Sequence, residues 1–127
     1  MPNAIKLMFV IPVLFCLLGD SAEAQRIRLE TRMGANDAIQ AKAKYEQRNG
    51  RRKFNVELED ALPNRTYGVM IRRRGRVIDS AVFKTNQLGV GEIDVDTTEG
   101  DIVPQLQAGD VVQIWFNRRR ILAGTLR

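Results

Sequence analysis

Seven arginines crowd two short stretches of this chain: Arg72, Arg73, Arg74 and Arg76 in one, Arg118, Arg119 and Arg120 in the other. A guanidinium group is planar, permanently charged and donates through a rigid fork, so clustered arginines point to recognition of phosphate or carboxylate oxygens. Trp115 lies three residues before the second cluster and offers a ring face on which a sugar, a base or a cation can stack. These eight residues are the candidate anion-binding site. A second candidate is the acidic run Asp94, Asp96, Glu99 and Asp101, whose oxygens are the kind that calcium takes. It departs from an EF-hand loop, because Gly100 falls one place late and the closing glutamate is missing.

Other chemistry is excluded by what the chain lacks. It has no histidine, and its one cysteine is Cys16. Histidine-based nucleophile systems and histidine- or cysteine-ligated zinc and copper sites therefore have no ligands or base to use. Carboxylate pairs remain for acid and base work on a glycoside, but no long loops are present to build a cleft around them. The expectation is a protein that is not an enzyme and carries no cofactor, with calcium as the alternative.

To act together, the arginines must be placed by a fold, and the fold is legible as short strands. Ile39, Ala41, Ala43 and Tyr45 alternate with polar residues, Asn49-Gly50 intervenes, and Phe54, Val56 and Leu58 alternate again. Asn-Gly suits a two-residue turn that needs positive φ at both central positions. Such a loop fixes the register: Tyr45 faces Phe54, Ala43 faces Val56 and Ala41 faces Leu58 on one side. On the other, Glu46 meets Lys53 and Lys42 meets Glu57. Two further hairpins read as copies of each other, Val69 to Phe83 and Val112 to Leu126, with turns at Arg74-Gly75 and Asn117-Arg118. Their expected registers pair Ile71 with Ile78, Ile114 with Ile121, and Trp115 with Arg120. If the two lie side by side in the same direction, all seven arginines converge on one end. A first strand over residues 26 to 32, another from Gly91 to Asp96, and a longer connection through Pro104 complete about eight strands with no helical apolar period. That pattern predicts an all-β, antiparallel sandwich of Greek-key type, with a small barrel as the alternative.

The N-terminus reads as a signal peptide. Lys6 precedes the apolar run Leu7 to Leu18, followed by Gly19 and Ala22-Glu23-Ala24, with cleavage expected after Ala24. The apolar run is shorter than the roughly 20 residues a membrane-spanning helix needs. Residues 1–24 are thus expected to be a leader, and residues 25–127 one all-β domain with no cysteine and no transmembrane segment. Removing Lys6, Asp20 and Glu23 changes 20 Lys+Arg and 15 Asp+Glu to 19 and 13, a net of +6. Asn64-Arg65-Thr66 matches a glycosylation sequon that only a eukaryotic secretory host would use.

The pattern Ala43-x-Tyr45, Gly50, Phe54-x-Val56, Leu62-Pro63, Gly109-Asp110-x-Val112 and Gly124-Thr125-Leu126 resembles small exported bacterial β-sandwich modules. That resemblance implies fold and export and assigns no functional residue. The functional expectation is a secreted or periplasmic, non-catalytic binding or structural module that contacts an anionic polymer or an acidic protein partner through a basic hairpin end, without specific nucleic acid recognition. The alternatives are a calcium-dependent adhesion-type module and a small enzyme or inhibitor.

Overall fold

The computed structural model describes residues 26–34 and 38–127; the leader expected over residues 1–24 lies outside the described residues. Among the described residues eight strands form: β1 (Ile27–Met33), β2 (Gln40–Arg48), β3 (Arg51–Glu59), β4 (Thr66–Arg73), β5 (Arg76–Lys84), β6 (Gly91–Asp96), β7 (Val111–Phe116) and β8 (Arg119–Thr125). They make two four-stranded antiparallel sheets, ordered β1-β2-β3-β6 and β5-β4-β7-β8. Three connections cross between the sheets, so that β6 returns beside β3 and β7 beside β4, the Greek-key crossing. The sheets do not close into a barrel.

The β2–β3 hairpin adopts the register that its two-residue loop dictates, with Tyr45 opposite Phe54, Ala43 opposite Val56 and Ala41 opposite Leu58. Asn49 (φ 52) and Gly50 (φ 79) both hold the left-handed conformation that the turn requires. A Cβ placed on Gly50 meets nothing within 4 Å, so only the backbone resists substitution there. Gly50→Ala is expected to cost about 1 kcal/mol, a fall of roughly 4–8 °C in the thermal midpoint, with the folded spectrum unchanged. A loss well beyond that range would show that the turn makes contacts besides its own.

The other two hairpins carry an irregularity that their residue pattern does not announce. Arg73 pairs with Arg76 and Arg72 with Val77, but the register then shifts and Ile71 pairs with Asp79, not with Ile78. At the same place in the second hairpin, Trp115 pairs with Arg120 as expected, and Ile114 pairs with Leu122, not with Ile121. In each case one residue is extra in the returning strand, Ile78 or Ile121, and both pack against the core. The bulge turns an additional isoleucine inward near each tip. The likeness between the two hairpins thus extends to the position of the bulge.

The core lies between the sheets. Tyr45, Val56 and Leu58 face Tyr67, Val112 and Ile114, and all six are at most 1 % exposed. Tyr67 also stacks on Phe116, with ring centroids 4.7 Å apart. Burying a residue such as Leu58 or Ile114 contributes about 1.5–3 kcal/mol, whereas each charge pair on an outer face contributes roughly 0.2–1. Core burial therefore dominates stability, and the outer faces are available for other work. One seam of the sandwich is laced, with Glu30 and Arg127 exchanging two backbone hydrogen bonds of 3.1 Å. The other, between β5 and β6, opens into a cleft of about 210 Å³ walled by Phe54, Ile93 and Val95. Its edge strand β5 carries the bulge and the inward-placed Asp79, which accepts from the Ser80 amide at 2.9 Å; both features discourage pairing with another strand.

Candidate binding surface

Alternation along strands sends odd and even positions to opposite faces, and the two outer faces differ in charge. Strands β1, β2, β3 and β6 together carry eight basic and seven acidic residues. Their outer face mixes the two signs, with the alternating cross-strand row Arg28, Glu46, Lys53 and Asp96, and with Lys42 opposite Glu57. Strands β4, β5, β7 and β8 carry six basic residues and one acidic residue, Asp79. That aspartate stands opposite the buried Ile71 and lines the cleft at the β5 edge. Among the described residues the outer face of the second sheet therefore holds no carboxylate.

At the centre of this face lie Gly68 and Met70 of β4 and Gln113 and Trp115 of β7, with Val82 of the edge strand β5, Arg72 and Arg120 at its borders. Gln113 is 6 % exposed, and its side-chain oxygen accepts from both Trp115 Nε1 (3.0 Å) and Arg72 Nε (3.1 Å). One buried amide thus orients the indole and a guanidinium on the same surface. Gly68 is the cross-strand neighbour of Trp115, so no side chain stands where the ring lies against β4. Among the described residues the rings in contact with one another are Tyr67 with Phe83 and Phe116, and the half-buried indole stacks on none of them. Val82 is 75 % exposed on the same face.

The expected convergence of the arginine tips does not occur. Arg72 pairs with Val111 at the start of β7, and Gly68 with Trp115 near its end, so the hairpins point in opposite directions. Arg74 and Arg76 are exposed at one end of the sandwich, and Arg118 and Arg119 at the other. Arg73 turns inward, gripping Asp110 through two bonds of 2.9 and 2.8 Å and the Gln105 carbonyl at 3.0 Å. Of the eight candidate residues, the fold gathers Arg72, Trp115 and Arg120 on one face.

The acidic run is also dispersed. Asp94 is exposed on the outer face of the first sheet. Asp96 is 5 % exposed and accepts from Arg51 at 3.2 and 2.6 Å and from the Thr98 amide at 2.9 Å, capping the short 3₁₀ turn Thr97–Glu99. Asp101 accepts from the Asp96 amide at 3.0 Å, and Glu99 is exposed. Arg51 and the Thr98 donors hold the Asp96 carboxyl well below the usual carboxylate range. Among the described residues no group of three acidic, histidine or cysteine side chains is placed to hold a metal ion.

A further cluster escapes the two arginine stretches. At the β2–β3 turn a cleft of about 360 Å³ is lined by Arg26, Arg48, Arg51 and Lys53, with Glu46, Gln47 and Asn49. Half of its signal was readable, because a two-residue loop after Arg48 puts Arg51 directly opposite it. Arg26 joins only through the β1–β2 register.

No protein-family model matches the chain, and a comparison with curated proteins finds no similar sequence. Among the described residues no helix is long and apolar enough to cross a membrane.

Proposed function

We propose that this chain is a non-catalytic, exported binding module that holds an anionic polysaccharide on the outer face of the β5-β4-β7-β8 sheet. What carries the reading is the one-sided charge: this face has arginines at its borders, an oriented indole at its centre and, among the described residues, no carboxylate. Trp115 supplies a stacking surface for a sugar ring, and Arg72 and Arg120 pair with acidic groups on the chain that lies across it. Support for a role without catalysis comes from the absence of histidine and of any free cysteine beyond the expected leader.

Isothermal titration calorimetry with polygalacturonate tests this, a readout that does not depend on the single tryptophan, Trp115. Two or three ionic contacts predict an affinity that falls about tenfold or more between 50 and 200 mM salt. Arg120→Gln should lower the salt slope by about one, whereas Trp115→Ala should weaken binding at every salt concentration and leave the slope unchanged. Binding that ignores salt, or that survives both substitutions, would remove the face from consideration.

A further inference from the structure

At one end of the first sheet, three arginines stand side by side in one cross-strand row. Arg48 is paired directly with Arg51, and one step beyond the Ile27–Gln47 pair Arg26 stands beside Arg48. Like charges opposite each other on neighbouring strands are destabilising, by up to about 1 kcal/mol for each pair. Lys53 adds a fourth cation on the same face, two residues along β3 from Arg51.

The acids nearby neutralise Arg51 and leave Arg26 and Arg48 without a partner among the described residues. Glu46 is the one carboxylate on the cleft wall, and Arg28 already holds it at 3.0 Å. Asp96 pairs with Arg51 at 2.6 Å. Among the described residues Arg26, Arg48 and Lys53 make no ion pair; Lys53 stands between Glu46 and Asp96 across the strands, so the excess positive charge around the cleft of about 360 Å³ rests on Arg26 and Arg48. Arg51, fixed by its two bonds to Asp96, gives the cleft one rigid wall. A carboxylate brings one charge and two oxygens, and would leave one of these two arginines uncompensated. A tetrahedral dianion brings two charges and at least three acceptor oxygens, which suits cations approaching from three strands.

We propose that the cleft bounded by Arg26, Arg48, Arg51 and Lys53 binds a compact, doubly charged oxyanion, a phosphate or sulfate group. It lies on the opposite sheet from Trp115 and does not depend on the polysaccharide reading: Trp115→Ala leaves it intact. The row also explains why these arginines are tolerated, since the bound group converts mutual repulsion into shared attraction.

The test is a titration of the full domain with inorganic phosphate at pH 7.5, with ionic strength held constant by sodium chloride, followed by amide chemical shifts and the thermal midpoint. Saturable shifts confined to residues 46–53 and the Arg26 segment are expected, with a rising midpoint. Arg48→Gln combined with Lys53→Gln should weaken binding at least tenfold, and Arg65→Gln, in a loop at the far end, should not. Without phosphate Arg48→Gln alone should melt at the same temperature as the parent or higher, because it removes the repulsion with Arg26 and Arg51 and touches no buried group, whereas Lys53→Gln also gives up the cross-strand attraction to Glu46 and Asp96. Non-saturating shifts spread over all the cations, an unchanged response in the double variant, or acetate binding as tightly as phosphate would each overturn the proposal.

Discussion

Replacing Arg73 with alanine is expected to lower the thermal midpoint by about 10 °C or more. Asp110 is 1 % exposed, and its carboxylate is satisfied by two bonds from Arg73 and one from the Gln107 amide. Removing the guanidinium leaves a buried charge with a single donor, and it leaves the Gln105 carbonyl without its partner. Both lie in the long connection between β6 and β7, which also donates Val103 and Leu106 to the core. The damage should therefore spread along this segment, and proteolysis of the variant should begin between residues 101 and 109. Arg73→Ala with Asp110→Ala should be less harmful than Arg73→Ala alone, since the stranded charge is then gone. Losses that simply add would mean that the pair is not coupled and that the connection is held by its apolar residues.

Which parts of this molecule can be read from its residues follows from the range of the interactions involved. The β2–β3 hairpin is legible because everything that fixes it lies within twenty residues: a turn that demands Asn-Gly, and a register that places apolar pairs on one side and opposite charges on the other. The bulges are not, because Ile71 opposite Ile78 looks better locally than Ile71 opposite Asp79. The choice is made by the core of the assembled sandwich, which has room for Ile78 and Ile121. The direction of the two arginine tips is likewise non-local. It depends on β4 pairing antiparallel with β7, forty residues apart, and a chain that reads as two similar hairpins carries no mark of that orientation.

For the binding surface the same division holds. The partnership of Trp115 with Arg120 follows from a tight turn and was readable. That Gln113 would hold both Trp115 and Arg72 was not, because it needs β4 and β7 as neighbours. Arg73 shows the opposite risk. In the sequence it is one of four similar cations, and in the fold it is a structural clamp. Side-chain type alone does not separate Arg72 from Arg73; the parity of their positions in β4, one facing outward and the other inward, does.

Acid should unfold this protein through the same connection. Donation from Arg73 holds the Asp110 carboxyl below its ordinary value, and donation from Arg51 does so for Asp96, at the other end of the segment from Asp96 to Asp110. A carboxylate whose folded pKa lies below its unfolded value stabilises the fold above about pH 4 and loses that contribution as pH falls towards the folded value. The thermal midpoint should therefore be nearly flat from pH 8 to about 5 and decline progressively below about pH 4. Arg51 is half exposed, so the Asp96 pair is screened by solvent and salt and the buried Asp110 pair should carry more of the slope. In the variant carrying both Arg73→Ala and Asp110→Ala, the decline below pH 4 should be visibly shallower than in the parent. At the alkaline end, burial pushes the Tyr45 phenol up, so ionising it opposes folding and stability should fall as pH rises past about 10. An acid decline of unchanged steepness in the double variant would place the proton uptake elsewhere, on the exposed charge grid of the first sheet.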